Sequence, residues 1–397
     1  IFKIIGIAIF CNWNNRNNMF NAFDIRKIIK FEFEKVLKNK IVIGSLVISF
    51  IVLLGIFFVR YNYSQFKMSE RNNVNKGFPK NIDTIISQKY AGDFTDKKVQ
   101  MILSDSMNQF QENEEKGVTD KPFYLFYWQM GDNFFDDDSE NIYTEMIQKV
   151  KSGERLLLDD VSVHSIRDLG FTEFEKPLQI GNYVPWTDFF SVIGNINLLI
   201  CVLTILICST IFSNDTSKNV NQILLITKLG RNKMIFAKII VGTVIPLCTL
   251  ILFHLLNAGI FSLMYDTSGW NSSIQTNLSM GLFQFPVEWN HLQTYLIVVL
   301  LQSIGIVFVS SFTLLISSFA KSPITSLSVS LGMFLLPQLL LQIFRKGILN
   351  KLLYFFPINN LNAQKTLELL SSEFFDEFIY SEFNGSLFVF DYFENYF

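Results

Sequence analysis

The chain has only 4 cysteines, 3 histidines and 9 prolines in 397 residues. Cys201, Cys208 and Cys248 fall inside apolar runs and Cys11 lies near the start, so the polar part of the chain carries no disulfide framework. His164 has no second His or Cys at ligand spacing and reads as a surface histidine. Asp132, Asp136, Asp137, Asp138 and Glu140 cluster, but without the alternating ligands, central glycine and closing glutamate of an EF-hand; they read as a solvated acidic loop. No G-x-x-x-x-G-K-[ST] phosphate loop, H-E-x-x-H, G-x-S-x-G or Cys/His cluster occurs. These absences point away from an enzyme: no catalytic residue, metal or cofactor is expected in the chain itself. The net charge of −2 says little about partners, because the charges are segregated by region, and no nucleic-acid partner is expected.

What the chain has in quantity is apolar sequence, 50% of it, gathered into blocks. Several blocks exceed the roughly 18 residues that mark a spanning helix. The fold class expected is an α-helical polytopic membrane protein with about five visible transmembrane helices and a large extracytoplasmic mixed α/β domain between the first and second. The spans are placed at 41–59, 189–212, 239–265, 292–319 and 324–344. Residues 1–18 read either as sequence upstream of a start at Met19 or as a short apolar anchor. Within 20–40, Ile25, Ile28, Ile29, Phe33, Val36 and Leu37 form one stripe, surrounded by Arg26, Lys27, Lys30, Lys35, Lys38 and Lys40. That pattern predicts a helix lying in the inner membrane surface. The basic residues before the first span place the N-terminus in the cytoplasm and send residues 61–187 across the membrane.

In the outer domain, QKYAGDFTDKKVQMILSDSMNQFQEN reads as a turn leading into a helix, and SENIYTEMIQKVKSG as another. The aromatic run Phe123–Trp128 is a buried strand or an exposed ligand-contacting surface, with core the preferred reading. Trp186 suits the membrane interface. Inside the spans lie four candidate intramembrane polar residues, Asn195, Asn197, His254 and Gln302, read mainly as interhelical packing. Pro246 and Pro337 interrupt the third and fifth spans. The loop 266–291 has no Lys or Arg and is placed outside. Residues 347–397, with no base after Lys365, read as an external acidic tail, truncated before a sixth span.

The segment 213–238 organises the rest. It carries Lys218, Lys228, Arg231, Lys233 and Lys238 against the single acid Asp215, a bias expected of a cytoplasmic loop. Val220, Ile223, Leu224 and Thr227 recur at helical spacing, Gly230 ends that helix and Arg231 opens the next.

On Phe212, Ser213, Asp215, Leu224, Leu225, Gly230, Arg231, Lys233 and Lys238, the chain resembles the permease subunit of bacterial ABC type 2 exporters. The family pattern is an acid after the second span, an apolar helix, an Arg, and a Lys opening the third span. The likeness covers most of Phe20 to Phe344, and it departs from the family where Asp215 replaces the usual Glu, where Asn219 replaces a Gly, and in lacking a sixth span. The resemblance implies that Asp24 to Lys40 is a connecting helix and residues 216–229 a coupling helix. It further implies that Asp215, Leu224, Gly230, Arg231, Lys233 and Lys238 couple to a separate ABC ATPase, which binds the ATP. Implied partners are that ATPase, a second permease copy or a related permease, and membrane lipid; the implied location is a bacterial plasma membrane. The competing reading is a non-transporting sensor or accessory protein whose outer domain binds a ligand.

Overall fold

A computed structural model describes residues 19–72, 89–117, 125–220, 233–265, 267–345, 347–354, 356–360 and 367. Among these the chain is mostly helical. In order the helices are α1 (Met19–Leu37), α2 (Lys40–Asn72), α3 (Asp96–Glu115), α4 (Leu125–Phe134), α5 (Ser139–Lys151), α6 (Val184–Ile211), α7 (Ser213–Ser217), α8 (Ile235–Met264), α9 (His291–Phe319), α10 (Pro323–Ile343) and α11 (Ile348–Leu353). The expected mixed α/β domain is corrected here. Its described part contains one antiparallel pair of two-residue strands, β1 (Gly92–Asp93) and β2 (Gln179–Ile180), and is otherwise helix and loop. Five helices are long and apolar enough to cross a membrane, Lys40–Tyr61, Val184–Ser217, Ile235–Met264, His291–Phe319 and Pro323–Ile343.

The chain divides into two compact units, and the division falls within long helices. The first unit draws on residues up to Phe57, Ile193–Asn257 and Val299–Leu361. Its core joins Ile29 and Val36 of α1 and Val42 of α2 to Leu203, Ile207 and Ile211 of α6, Ala237, Val241 and Ile245 of α8 and Leu314 of α9. The whole α1 stripe is used in this way: Ile25, Ile28, Phe33 and Leu37 pack against the same cluster. The stripe expected to meet lipid is instead turned toward the spans.

Pro246 and Pro337 lie inside unbroken helices. A proline has no N–H for the carbonyl four residues earlier, which must find another donor. For Pro246 that carbonyl belongs to Gly242. It accepts from Ser310 Oγ at 2.8 Å and from Cys208 Sγ at 3.2 Å. Gly242 permits the approach, since a Cβ there would lie 2.8 Å from Leu314 Cδ2 and 3.0 Å from Ile211 Cδ1. After α10, the chain packs back on α9: Phe356 meets Phe308 at 6.5 Å between ring centroids, and a Cβ on Gly305 would sit 3.6 Å from Pro357.

The second unit draws on Phe58–Val192 and Ala258–Val298. Helix α3 buries Val99, Ile102, Leu103 and Met107 at helical spacing behind an N-cap in which Thr95 Oγ accepts from Lys98 N. The described part of the aromatic run, from residue 125 on, is helix rather than strand and lies in the core: α4 buries Phe126, Tyr127, Met130 and Phe134, a 3.6-residue period that overrides the strand preference of aromatic residues, while Phe123 and Tyr124 lie outside the described residues. Tyr90 closes this core, its hydroxyl between Asp105 Oδ2 at 2.8 Å and Tyr127 OH at 2.7 Å, and burial pushes its phenol well above the usual range. The acidic loop serves local structure. Asp138 caps α5 by accepting from Glu140 N, Asp132 accepts from Ser139 Oγ, and Asp136 pairs with His164 at 3.3 Å.

Trp186 is buried, stacked on His291 with its indole N–H on Ser268 O at 3.3 Å. His291 was not singled out by the sequence, where it stands only as the last residue of the loop before the fourth span. It is fully buried, with Nδ1 3.0 Å from Gly269 O and Nε2 3.2 Å from Asn277 Nδ2. Thr187 Oγ donates to Asn277 Oδ1, so the amide presents its N–H to Nε2 and the ring proton sits on Nδ1. Gly181 and Gly269 meet in this knot: a Cβ on Gly181 would lie 3.1 Å from Gly269 Cα.

Candidate functional site

Two of the predicted coupling residues, Asp215 and Lys238, come together with two residues of α1 that the sequence did not connect to them. Asp215 follows the break at Phe212 that separates α6 from α7, and Lys238 lies in the first turn of α8. Lys238 Nζ is 2.7 Å from Asp215 Oδ2 and 3.1 Å from Glu32 Oε2, and it donates to Ile211 O at 3.0 Å. Lys35 Nζ donates to Asp215 Oδ1 at 2.5 Å and lies 3.8 Å from Glu32. Glu32, Lys238 and Asp215 are 1%, 3% and 6% exposed. Two carboxylates and two ammonium groups thus form a neutral cluster in which three members are buried and Lys35 is 30% exposed; neutrality is the condition under which charges tolerate a low-dielectric site.

Each member is positioned for a local reason. Glu32 sits in the middle of the buried α1 stripe, three residues after Ile29 and four before Val36, so the helix that buries those two side chains buries the carboxylate as well. The sequence shows an acid inside an apolar stripe, but nothing in it says which partner meets that acid. Lys238 reaches the carbonyl that ends α6, a helix terminus where a cation is favoured. The break at Phe212 is held by α9: Ser317 Oγ accepts from Phe212 N at 3.2 Å and Ser213 N at 3.1 Å and donates to Ser209 O at 2.9 Å. A small cleft lined by Glu32, Lys35, Asn39, Thr210 and Asn214 adjoins the cluster.

Asn219, where the resembled family has glycine, is the only non-glycine with positive φ among the described residues, at 55°. Its N–H bonds to Thr216 O at 3.0 Å and so closes the end of α7. Glycine suits this left-handed position, and asparagine is among the few side chains that tolerate it. Replacing Asn219 by glycine is expected to leave the thermal midpoint of the purified protein nearly unchanged, whereas valine should cost about 1–2 kcal/mol. Equal midpoints for the two variants would show that the turn does not need this conformation.

Of the other predicted residues, Leu224, Gly230 and Arg231 lie outside the described residues, as does most of the predicted coupling helix 216–229. Lys233 is partly exposed just before α8. Among the intramembrane polar residues, His254 and Gln302 meet across α8 and α9, with Nε2 2.9 Å from Oε1, which is the interhelical bond expected for them. Asn197 is buried and accepts a weak bond from Cys201 Sγ at 3.9 Å, while Asn195 is partly exposed. No group of His, Cys, Asp and Glu able to hold a metal occurs among the described residues. Among the described residues, the arrangement ties four helices together.

No curated protein and no solved structure matches the chain. A family model does, over residues 26–396, that of the ABC-2 family transporter proteins. This match takes in the charge cluster, the segment that the cluster flanks and all five candidate spans. The chain belongs to the ABC-2 transporter family, as a multi-pass membrane protein of the permease kind.

Proposed function

We propose that the chain is the membrane-spanning permease subunit of an ATP-driven exporter in a bacterial plasma membrane, powered by a separate ATPase that docks on the segment between α7 and α8. The observation that carries the reading is the placement of Asp215 and Lys238. They bracket that segment at its two ends, and both bond to α1. A push on the docked segment therefore reaches α1, α6 and α8 together through a short set of ion pairs, the kind of rigid-body transmission that a transport cycle needs. Asp215 and Lys238 are too buried to touch an ATPase surface, so their role is to hold the segment's ends. Contact with the partner falls to Lys218, Lys228, Arg231 and Lys233 of the same segment.

Permeases of this family generally work with an ABC ATPase subunit and often as dimers, so a second permease copy, identical or related, completes the path. The positive bias of residues 213–238 supports a cytoplasmic position for that segment. The N-terminus is then cytoplasmic too, and residues 61–187 lie outside. Affinity purification of the tagged protein from its native host in mild detergent, with mass spectrometry of stoichiometric partners, tests the reading. An ATPase bearing a phosphate loop is expected to co-purify and to be lost when Arg231 and Lys233 are reversed in charge. Its absence under conditions that keep a known transporter complex intact would move the sensor or accessory reading ahead.

A further inference from the structure

The two oxygens of Glu32 are not equally served. Oε2 accepts from Lys238 Nζ at 3.1 Å, but no donor from the described residues reaches Oε1, although the side chain is almost wholly buried. A buried carboxylate oxygen without a donor is costly, because the hydration it lost on folding is not replaced. Oε1 therefore needs a donor that these side chains do not supply.

The cleft beside the cluster is the place for one. Glu32, Lys35, Val36 and Asn39 line it on one side, Thr210 and Asn214 on the other, and it has room for about one water molecule. We propose that this cleft is a water site, and that one water held there donates to Glu32 Oε1 as a fifth member of the cluster. Size argues against a side chain as the occupant. Charge argues against a cation, since the four groups already sum to zero and the Lys35 ammonium belongs to the same cleft. A buried water needs roughly two to four polar partners, and the walls carry them. Thr210 Oγ donates to Ile207 O at 2.8 Å, which leaves its lone pairs to accept the second proton of the water. Asn39 Oδ1 accepts from Ile41 N at 3.0 Å, so the amide nitrogen is the end left to donate. Lys35, Asn39 and Asn214 are partly exposed, which opens the cleft to exchange with bulk solvent. With the water in place Glu32 keeps a donor even when Lys238 moves away, so α1 can part from α8 without stranding a dry charge. The inference concerns the cluster itself and depends neither on export nor on an ATPase.

The test uses the full chain in detergent. Val36→Ile adds one methyl group to the wall of the cleft and removes no polar group. Filling a dry cleft raises the thermal midpoint. Here the methyl is expected to expel the water and strip Oε1, lowering the midpoint by about 2 °C or more. Overpacking alone also lowers it, so the same substitution is made in the Glu32→Met, Lys238→Met background, which has no carboxylate oxygen at residue 32 to hydrate. There the fall is expected to vanish. A midpoint that rises or stays level in the otherwise unaltered chain, or an equal fall in both backgrounds, overturns the proposal. Direct observation does not depend on any variant folding. A density map of the unaltered protein, at a resolution that shows ordered water, should place a peak about 2.6–3.0 Å from Glu32 Oε1. No peak there, a side chain of residues 221–232 in its place, or a peak at the roughly 2.3–2.6 Å of a metal–oxygen bond also overturns it.

Discussion

Replacing Lys238 by methionine is expected to destabilise the protein by about 3–5 kcal/mol, because it leaves two buried carboxylates, Glu32 and Asp215, sharing the single, partly exposed cation Lys35. The same substitution removes the cap on Ile211 O, a carbonyl that then has to find another donor. Thermal unfolding in detergent, followed by loss of the monodisperse peak in size-exclusion chromatography, reads the effect. The cluster makes a second, sharper statement. Lys238→Met combined with Glu32→Met restores neutrality and leaves the Lys35–Asp215 pair intact, so the double variant should recover at least about half of the loss, since apolar replacement of a buried pair is often near neutral. Simple additivity of the two substitutions would mean that the four charges are not coupled. If the cluster also transmits motion from the docked segment, the double variant should recover stability but not transport.

The second large effect is expected at Gly269. Its φ of +87° already disfavours any side chain, and a Cβ there would lie 2.5 Å from Asn182 O and 2.8 Å from Asn182 N. Backbone atoms cannot swing aside as a side chain can, so Gly269→Ala has to pull the 268–273 turn away from the segment before α6. With it go the bonds of His291 to Gly269 O and of Trp186 to Ser268 O. A loss of about 3 kcal/mol or more is expected, combining backbone strain with overpacking. Gly281 provides the control: its φ is +64°, and a Cβ there meets nothing within 4 Å. Gly281→Ala should therefore cost only about 1–2 kcal/mol. Limited proteolysis of the two variants compares them directly, and equal protection would show that the Gly269 contact carries no weight.

Much of this architecture was legible in the residues themselves. The five spans were visible because uncharged runs of this length have few other solutions, and α3 and α5 because each stretch follows a turn-like segment; the structure adds the caps, Thr95 before one and Asp138 before the other. The same logic failed at Phe126 to Phe134, where β-propensity is a property of packing context and the context here is a three-helix core. His254 and Gln302 were separately visible as polar residues at membrane depth, but only the fold pairs them, 48 positions apart. The charge cluster shows the limit most plainly. Asp215 and Lys238 stood out by family likeness and by their place around a basic loop. Glu32 and Lys35 looked like ordinary members of a charged helix, because nothing local says that a carboxylate will meet a lysine 206 residues later.

A helix that runs for 30 residues is ordinarily a stiff rod, and stiffness is spread evenly along it by the ladder of bonds between turns. In α8 that evenness is interrupted at one level. The rung that should join Gly242 to residue 246 has been turned sideways, onto Ser310 and Cys208. The parts of the helix on either side can change their mutual angle there without giving up a rung, so the compliance of the whole span is concentrated within one turn of a point that neighbouring helices hold fixed. Restoring the rung by Pro246→Ala would offer the Gly242 carbonyl a competing partner and return the span to a uniform rod.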